Sequence, residues 1–558
     1  MLELAAAEGA STLKLNLGPI DVVLLVIYFS FVIGIGFALR RMVTTSADFF
    51  LSGRSLPAWV TGIAFISANL GAIEILGMAA SGAEYGISIA HYYWIGAIPA
   101  MVFLGIVMMP FYYGSKIRSV PEYLARRFDS RAHLVNAIIF VLSSILIAGV
   151  NLYALGAVLE VLLGIPLALA IVLSALFVLS YILLGGLTSA IYNEVMQFFV
   201  ILAGLIPVVI VVMREVGGMH GLMQKLSTNP TFTHPWQGLA VGGNNPVGDW
   251  IGLVFGLAFC LSFGYWTTNF AEVQRAMSAK DDNAARMTPI IGAFPKVVIP
   301  FAVVIPGMAA VLLLPGIGEA GGLAYNDAIP GLMAKYLPEG VLGVGITGLL
   351  AAFMAGMAAN VSSFNAVFTY DLWQNYIRPG RPDAYYLKVG RYTTIAGVFV
   401  GILTAFLAAG YNNVNNYLQT LFSFFNVPIF LAFIVGMFWK KASTNSGFWG
   451  MLVGTLTSVG IFIGYKAGWI PFKSDLMENQ YAAIISFVVG VLTMVIATKF
   501  GTSKSDEELE GLVYGRQVVG SSDGEGAVHH GLLANPVVMG IGALVCAGLA
   551  YVFIEMVN

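Results

Sequence analysis

Charged side chains are scarce in this sequence: Asp, Glu, Lys and Arg make up 10% of its 558 residues, against about 25% in typical domains. A soluble protein of this length needs far more charge to cover its surface. Hydrophobic residues supply 58% of the chain instead. The composition therefore excludes a soluble globular protein and predicts an integral membrane protein, built as one helical bundle rather than as several domains.

Cysteine, surplus basic charge, nucleotide motifs and metal motifs are also missing. The two cysteines, Cys260 and Cys546, lie in apolar stretches, which argues against a disulfide or a metal site. Lys and Arg number 27 against 29 Asp and Glu, so no basic surplus points to nucleic acid. The absence of GxxxxGK(S/T) excludes an ATP-driven pump, and the absence of HExxH argues against a membrane-embedded metalloenzyme. We therefore expect no cofactor, no metal and no enzymatic activity.

Apolar runs of about 20 residues, the length that spans a bilayer as a helix, recur along the chain. They predict fourteen transmembrane helices, at 20–40, 57–83, 89–112, 133–160, 165–185, 189–213, 249–271, 287–314, 339–373, 390–410, 413–438, 445–466, 480–499 and 534–556. The boundary between the fifth and sixth spans is placed at Gly185-Gly186.

Basic residues are unevenly distributed between the two ends of these spans. Twenty of the 27 follow odd-numbered spans and six lie on the other side, with Lys296 inside a span. Because short cytoplasmic loops are enriched in Lys and Arg, we expect a plasma-membrane protein with both termini extracytoplasmic. The first apolar run lacks a basic n-region, which favours an uncleaved span. The polar, Gly- and Ser-rich stretch 501–533 is predicted to be a flexible cytoplasmic linker.

Two spans carry polar residues and glycine at comparable depth. These interruptions lie at Ser67–Glu74 in the second span and at Ser262–Asn269 in the seventh, five spans later. Backbone leaves helical geometry inside a bilayer only where protein or a water-filled cavity satisfies it. Broken helices in matching positions of two repeats indicate a transporter site. The alternative is close packing of small residues between membrane helices.

Several motifs in this order along the chain resemble those of the sodium/solute symporter family, which includes the sodium/glucose cotransporters. They are Asp48–Pro57, Val120–Tyr123, Gly185–Ser189, Gln274-Arg275, Phe368–Asp371 and Phe438–Lys441. The resemblance implies an all-α, LeuT-type fold in a single transporter domain (1–556). Its core at 57–438 would be a five-plus-five inverted repeat, with the first helix of each repeat discontinuous. The helix at 20–40 and those at 445–556 would be peripheral.

The resemblance also implies a sugar site. Its substrate residues would be Asn69, Glu74, Tyr92, Tyr93, Ser262, Lys296 and Gln419, with Tyr265 and Trp266 as the inner gate. An amide offers both a donor and an acceptor to hydroxyl groups. Glu74, Tyr93 and Ser262 depart from the family pattern, which argues against galactose and glucose specifically and leaves a different sugar, a polyol or an amino sugar open. Alternatively, Lys296 snorkels to the interface, and Tyr92 and Tyr93 belong to an aromatic belt.

The coupling cation is less clear from the sequence. The family's sodium site would use backbone carbonyls at Ser67, Leu70 and Ala352 and two hydroxyl groups on the ninth span. Those hydroxyl positions fall on Ala355 and Gly356, which have no side-chain oxygen. Sodium is a hard cation that prefers oxygen ligands, so a sodium site here is expected to be degenerate.

Two carboxylates in the spans are candidates for a proton path instead. Glu194 lies early in the sixth span, and Glu74 lies in the expected solute site. Glu194 is alternatively a charge at the cytoplasmic interface. Glu74 is alternatively an ion-pair partner of Lys296 or a direct contact of the substrate.

Together these features predict a secondary active cation/solute symporter that imports a small polar solute, a sugar or polyol by preference, by alternating access. The coupling ion would be Na⁺ by resemblance, or H⁺. The alternatives are a proton-coupled or uncoupled uniporter of a non-sugar solute and a transport-inactive solute sensor. Expected partners are the solute, the cation and the lipid bilayer, with no nucleic acid. Monomer and homodimer both remain open.

Overall fold

The computed structural model describes residues 17–39, 45, 49–50, 52–115, 117–320, 322–411, 413–514 and 531–558. Within these ranges no strand forms, and one isolated parallel bridge joins Leu56 to Ala279. The helices are α1 (Pro19–Leu39), α2 (Ala58–Asn69), α3 (Ile73–Ala90), α4 (Tyr92–Tyr113), α5 (Val120–Arg127), α6 (Ser130–Leu163), α7 (Leu167–Leu183), α8 (Gly186–Val216), α9 (Gly218–Leu226), α10 (Pro230–Thr233), α11 (Gly252–Thr268), α12 (Phe270–Met277), α13 (Asp282–Leu313), α14 (Ala328–Tyr336), α15 (Val341–Ile377), α16 (Asp383–Ala408), α17 (Val414–Phe438), α18 (Ser446–Lys466), α19 (Asp475–Lys499) and α20 (Pro536–Val557).

Each span predicted from hydropathy overlaps one of these helices or one bent pair of helices, with bounds that differ by a few residues. Among the described residues, 11 helices are long and apolar enough to cross a membrane, and the bent pairs α2–α3 and α11–α12 raise the number to 13. Helix α7 coincides with the predicted fifth span but is one of the shorter apolar helices. The predicted number of fourteen is therefore not confirmed. At the predicted boundary between α7 and α8, Gly186 has a left-handed φ of 54°, a conformation that glycine adopts without strain.

Both predicted broken spans are bent in the structure. Helix α2 ends at Asn69, where Leu70 has a ψ of 40°, and the span turns by 56° before α3 continues. In the seventh span, Asn269 is extended and its side chain caps α12 by accepting a hydrogen bond from the backbone N–H of Ala271 at 2.9 Å. This span bends by 49°. Each break exposes polar side chains and backbone groups in the interior of the bundle.

Helix α15 forms the centre of the bundle. It is buried along nearly its whole length and packs against α6, α8 and α2. Helix α13 packs against both halves of the broken second span and contains four internal prolines. Prolines are tolerated in membrane helices because neighbouring groups satisfy the freed backbone carbonyls. These packing partners place Lys296 of α13 beside the α2–α3 break.

The first part of the predicted flexible linker is packed against the bundle. In residues 501–514, the side chains of Leu509, Leu512 and Val513 are buried. The Tyr123 hydroxyl donates to the Leu512 carbonyl at 2.7 Å, and the backbone N–H of Tyr514 donates to the Met437 carbonyl at 2.8 Å. The linker prediction is thus corrected for 501–514, because three apolar side chains interrupt its polar composition. Residues 515–530 lie outside the described residues.

Candidate functional site

One internal cavity brings together all nine residues expected to form the solute site and the gate. Its wall is formed by these nine residues together with five apolar ones: Asn69, Glu74, Tyr92, Tyr93, Ser262, Tyr265, Trp266, Lys296 and Gln419, with Ile73, Met78, Ala97, Leu261 and Phe422. Each of the nine is 8% exposed or less. They come from α2, α3, α4, α11, α13 and α17, so the cavity lies where the two broken spans meet.

π-Helical turns supply several of the cavity residues. Ile73–Gly77 carries Glu74, Tyr92–Ala97 carries both tyrosines, and Gly252–Ser262 ends at Ser262. Such turns widen a helix locally and are frequent at functional sites. The π-helical turns therefore direct into the cavity side chains that would point elsewhere from a regular α-helix.

Lys296 lies at the centre of the polar wall. Its ammonium group donates to Glu74 Oε1 at 2.6 Å and also to Asn69 Oδ1. It lies 5.0 Å from the ring centroids of Tyr93 and of Trp266, in cation–π contact. Lys296 is fully buried, so the snorkelling alternative does not hold, and the ion pair with Glu74 does form. Glu74 Oε2 has no hydrogen-bond partner among the described residues.

The two predicted gate residues form the aromatic wall of the cavity. Tyr265 and Trp266 meet edge to face with centroids 5.2 Å apart, and Trp266 stacks on Phe65 at 5.7 Å. The Tyr265 ring lies 4.7 Å from that of Phe422. On the opposite side, Gln419 donates to Asn415 Oδ1 at 3.1 Å. Tyr92 and Tyr93 are buried in the cavity wall and thus do not form an aromatic belt.

Asn69 and Glu272 anchor the Tyr265 hydroxyl. Asn69 Nδ2 donates to this hydroxyl at 3.0 Å, and the hydroxyl donates to Glu272 Oε1 at 3.0 Å. Glu272 was not among the residues expected from the sequence, because it follows the seventh span in a stretch assigned to a connection. The available signal was its position three residues after Asn269, on the face of α12 that continues the broken span.

Glu194 forms a second buried ion pair. Its partner is Arg275, and both side chains are fully inaccessible to solvent. Arg275 also donates to the Ala271 carbonyl at 2.6 Å. The sequence placed Arg275 in a cytoplasmic connection and offered Glu194 for a proton path or, alternatively, as a charge at the cytoplasmic interface. The structure buries both side chains inside the bundle, because α12 packs against α2 and α15 and carries Arg275 inward.

The predicted cation site has no hydroxyl groups at Ala355 and Gly356, and the side-chain amide of Asn151 lies beside it. Ala355 and Gly356 are buried in α15 and supply no side-chain oxygen. Asn151 of α6 fills the space between Gly71 and Gly356, and its Oδ1 accepts the backbone N–H of Ala72 at 2.9 Å. The carbonyl candidates Ser67, Leu70 and Ala352 are also buried nearby on α2, at its end and on α15. The Ser67 hydroxyl has no hydrogen-bond partner among the described residues.

Comparison with known proteins identifies the family of this architecture. The family model described as "Sodium:solute symporter family" matches residues 49–454 of this chain. The chain is 28% identical to a sodium/glucose cotransporter of Vibrio parahaemolyticus over 524 residues, covering 90% of this chain and 94% of that protein. It is 29% identical to sodium/myo-inositol cotransporter 2 of Homo sapiens, covering 86% of this chain and 76% of that one.

A solved structure supports the same fold. A Na⁺-coupled sialic acid symporter in a substrate-bound, outward-open state superposes with a TM-score of 0.71 at 22% identity, covering 88% of this chain and all of that one. The likeness shows the fold, a LeuT-type bundle whose first and sixth core helices are broken. With the family match extending over most of the chain, the conclusion is direct: this protein belongs to the sodium:solute symporter family.

Proposed function

We propose that this protein is a secondary active transporter that imports a small polyhydroxylated solute, a sugar or a polyol, by alternating access. One observation carries the proposal: a buried cavity between two broken helices combines the Lys296–Glu74 pair and the Gln419 amide with the Tyr265–Trp266 wall. Broken helices at the interface of two repeats are where such transporters bind their substrates.

The chemistry of the cavity suits hydroxyl groups. An amide and a carboxylate accept hydrogen bonds from hydroxyls, and an ammonium group and a phenol donate to them. The unpartnered Glu74 Oε2 supplies an acceptor for a ligand. Aromatic faces suit the apolar C–H faces of a sugar or cyclitol ring.

The relatives favour the same class of solute. Two of them are named as a sodium/glucose and a sodium/myo-inositol cotransporter, and both solutes carry several hydroxyl groups. These relatives and the fold are those of transporters, which supports a protein without enzymatic activity. We further propose a plasma-membrane location, with the side richer in Lys and Arg facing the cytoplasm. The solute, the coupling cation and the lipid bilayer are its partners.

Counterflow in proteoliposomes tests this function. The purified protein is reconstituted into vesicles loaded with unlabelled glucose or myo-inositol, and the entry of the labelled solute is followed. Transient accumulation is expected for at least one of the two solutes. Gln419→Ala should abolish it, while Gln224→Ala, an exposed glutamine on α9, should leave it unchanged.

Other outcomes would identify the alternatives. A solute that raises the thermal stability of the protein without exchange would indicate a transport-inactive sensor. Exchange that neither a sodium nor a proton gradient converts into accumulation would indicate a uniporter. Normal transport by Gln419→Ala would show that the solute binds elsewhere.

A further inference from the structure

Glu272 is a buried carboxylate that forms no ion pair with any of the described residues. It lies on α12, on the far side of the Asn269 break from Tyr265, and is 2% exposed. Its Oε1 accepts from the Tyr265 hydroxyl at 3.0 Å and, more weakly, from Asn69 Nδ2 at 3.5 Å. Its Oε2 has no hydrogen-bond partner among the described residues. A bare carboxylate in such surroundings is strongly unfavourable.

Two other carboxylates in this part of the bundle are neutralised by ion pairs. Glu74 pairs with Lys296 and Glu194 pairs with Arg275, whereas no Lys, Arg or His nitrogen of the described residues forms an ion pair with Glu272. Three carboxylates therefore face two cations across this part of the bundle. The group carries one excess negative charge when all five side chains are ionised.

A proton compensates this charge better than a sodium ion does. The neighbours of Glu272 Oε1 are a phenol and an amide N–H, both hydrogen-bond donors, and a hard cation needs several oxygen ligands. The expected cation site supplies no hydroxyl groups at Ala355 and Gly356, and the Asn151 amide occupies the adjacent space. A proton needs only the one unpartnered oxygen.

We propose that Glu272 is the site that binds the coupling proton of this transporter; the inference rests on the transport function proposed above. An O–H bond forms at Oε2 with a proton delivered by water from the outer side. The bond breaks when the carboxyl group returns that proton to water on the inner side. No other atom or electron is exchanged, so one proton crosses with each cycle.

The geometry links this proton to the inner gate. Tyr265 is on α11 and Glu272 is on α12, so their hydrogen bond crosses the 49° bend. The Glu272 carboxylate accepts the hydrogen bond from the Tyr265 hydroxyl. Protonation makes Glu272 a weaker acceptor and so releases the Tyr265 hydroxyl. The titratable and charged groups that face Glu272 are Tyr265 on α11, Arg275 on α12, Glu194 on α8 and Lys296 on α13.

Gradient-driven uptake tests the proposal. With equal sodium on both sides, vesicles that are alkaline inside should accumulate glucose or myo-inositol. Glu272→Gln, which keeps the size and a hydrogen-bonding carbonyl, should lose this accumulation while counterflow continues. Glu478→Gln is the matched control, because Glu478 is equally buried and has one unpartnered oxygen but lies on α19; it should accumulate solute as the wild type does.

The outcomes separate the two proposals. Absence of counterflow in the wild type contradicts the transport function. The role of Glu272 is overturned if the wild type shows counterflow but only a sodium gradient drives accumulation. It is also overturned if proton-driven accumulation persists in Glu272→Gln. In both cases the proposed transport function still holds.

A spectroscopic measurement that needs no solute tests the proposal even if a variant transports poorly. Infrared difference spectra between acidic and alkaline pH should show the carbonyl band of a protonated carboxylic acid in the wild type and in Glu478→Gln. The band should lose intensity in Glu272→Gln and shift in Glu272→Asp, which keeps a carboxyl group in a displaced position. An unchanged band in both Glu272 variants overturns the proposal.

Discussion

Lys296 compensates the charge of Glu74 inside the bundle, and Arg275 compensates that of Glu194. This pairing determines what replacing any one of these residues should do to stability. Lys296 contacts Glu74, Asn69 and two aromatic rings, so its position is determined from several directions. Removing one partner of a buried pair leaves an uncompensated charge, whereas replacing both often costs little. The contribution of the Lys296–Glu74 pair to stability can therefore be measured separately from its contribution to solute transport.

Lys296→Met should lower the free energy of unfolding by about 3–5 kcal/mol, because Glu74 then remains buried without a partner. The double variant Glu74→Gln/Lys296→Met should recover much of this loss. Both variants should lose solute exchange, since the cavity has lost its ammonium group. Denaturation in detergent measures stability, and Lys335→Met, an exposed lysine on α14, is the control. Equal stability of the single and double variants would contradict the pairing argument.

At the scale of elements, the contact between the α2–α3 break and α15 depends on Asn151 of α6. A methyl group added to Gly71 or Gly356 would overlap its side-chain carbonyl oxygen. Asn151 also satisfies the backbone N–H of Ala72 at the break, at 2.9 Å. The three elements thus approach closely through two glycines and one amide.

Gly356→Ala should therefore destabilise the protein by about 1–3 kcal/mol, the usual effect of overpacking. Gly401→Ala on α16 is the matched control, because its added methyl group meets no atom within 4 Å. It should be neutral or slightly stabilising, since glycine weakens a helix. Combining Gly356→Ala with Asn151→Ala should cost less than the two changes added, as expected for residues in contact. Strict additivity in thermal unfolding would argue against the contact.

At the scale of the whole molecule, the distribution of basic residues predicts one orientation for all the spans. Arg378 is exposed in the connection between α15 and α16, on the side richer in Lys and Arg. Trp469, 78% exposed, lies in the connection between α18 and α19 on the other side. The predicted topology places these two positions on opposite faces of the membrane.

Cysteine labelling tests this orientation. After replacement of Cys260 and Cys546, an impermeant maleimide applied to intact cells should label Trp469→Cys and not Arg378→Cys. Permeabilisation should make both reactive, which controls for the intrinsic reactivity of each site. The reverse pattern in intact cells would place the basic side outside and both termini in the cytoplasm.

Much of the architecture could be predicted from the sequence because its causes are local. The length and hydropathy of each run define a span, and the polar residues at Ser67–Glu74 and Ser262–Asn269 mark the two breaks. The missing hydroxyls at Ala355 and Gly356 are likewise visible without coordinates. The candidate cavity residues followed from their resemblance to family motifs, and the structure brings all of them to one cavity.

Which charges compensate one another inside the bundle became visible only in the three-dimensional fold. Glu194 and Arg275 are 81 residues apart, and Asn69 and Glu272 are 203 apart, so no spacing along the chain indicates their contacts. Hydropathy also failed at residues 501–514, where apolar side chains pack on the ends of the bundle. The apolar runs and their polar interruptions were therefore enough to predict the spans and their breaks. Helix packing left Glu272 without a cationic partner among the described residues, because compensation depends on distances in three dimensions.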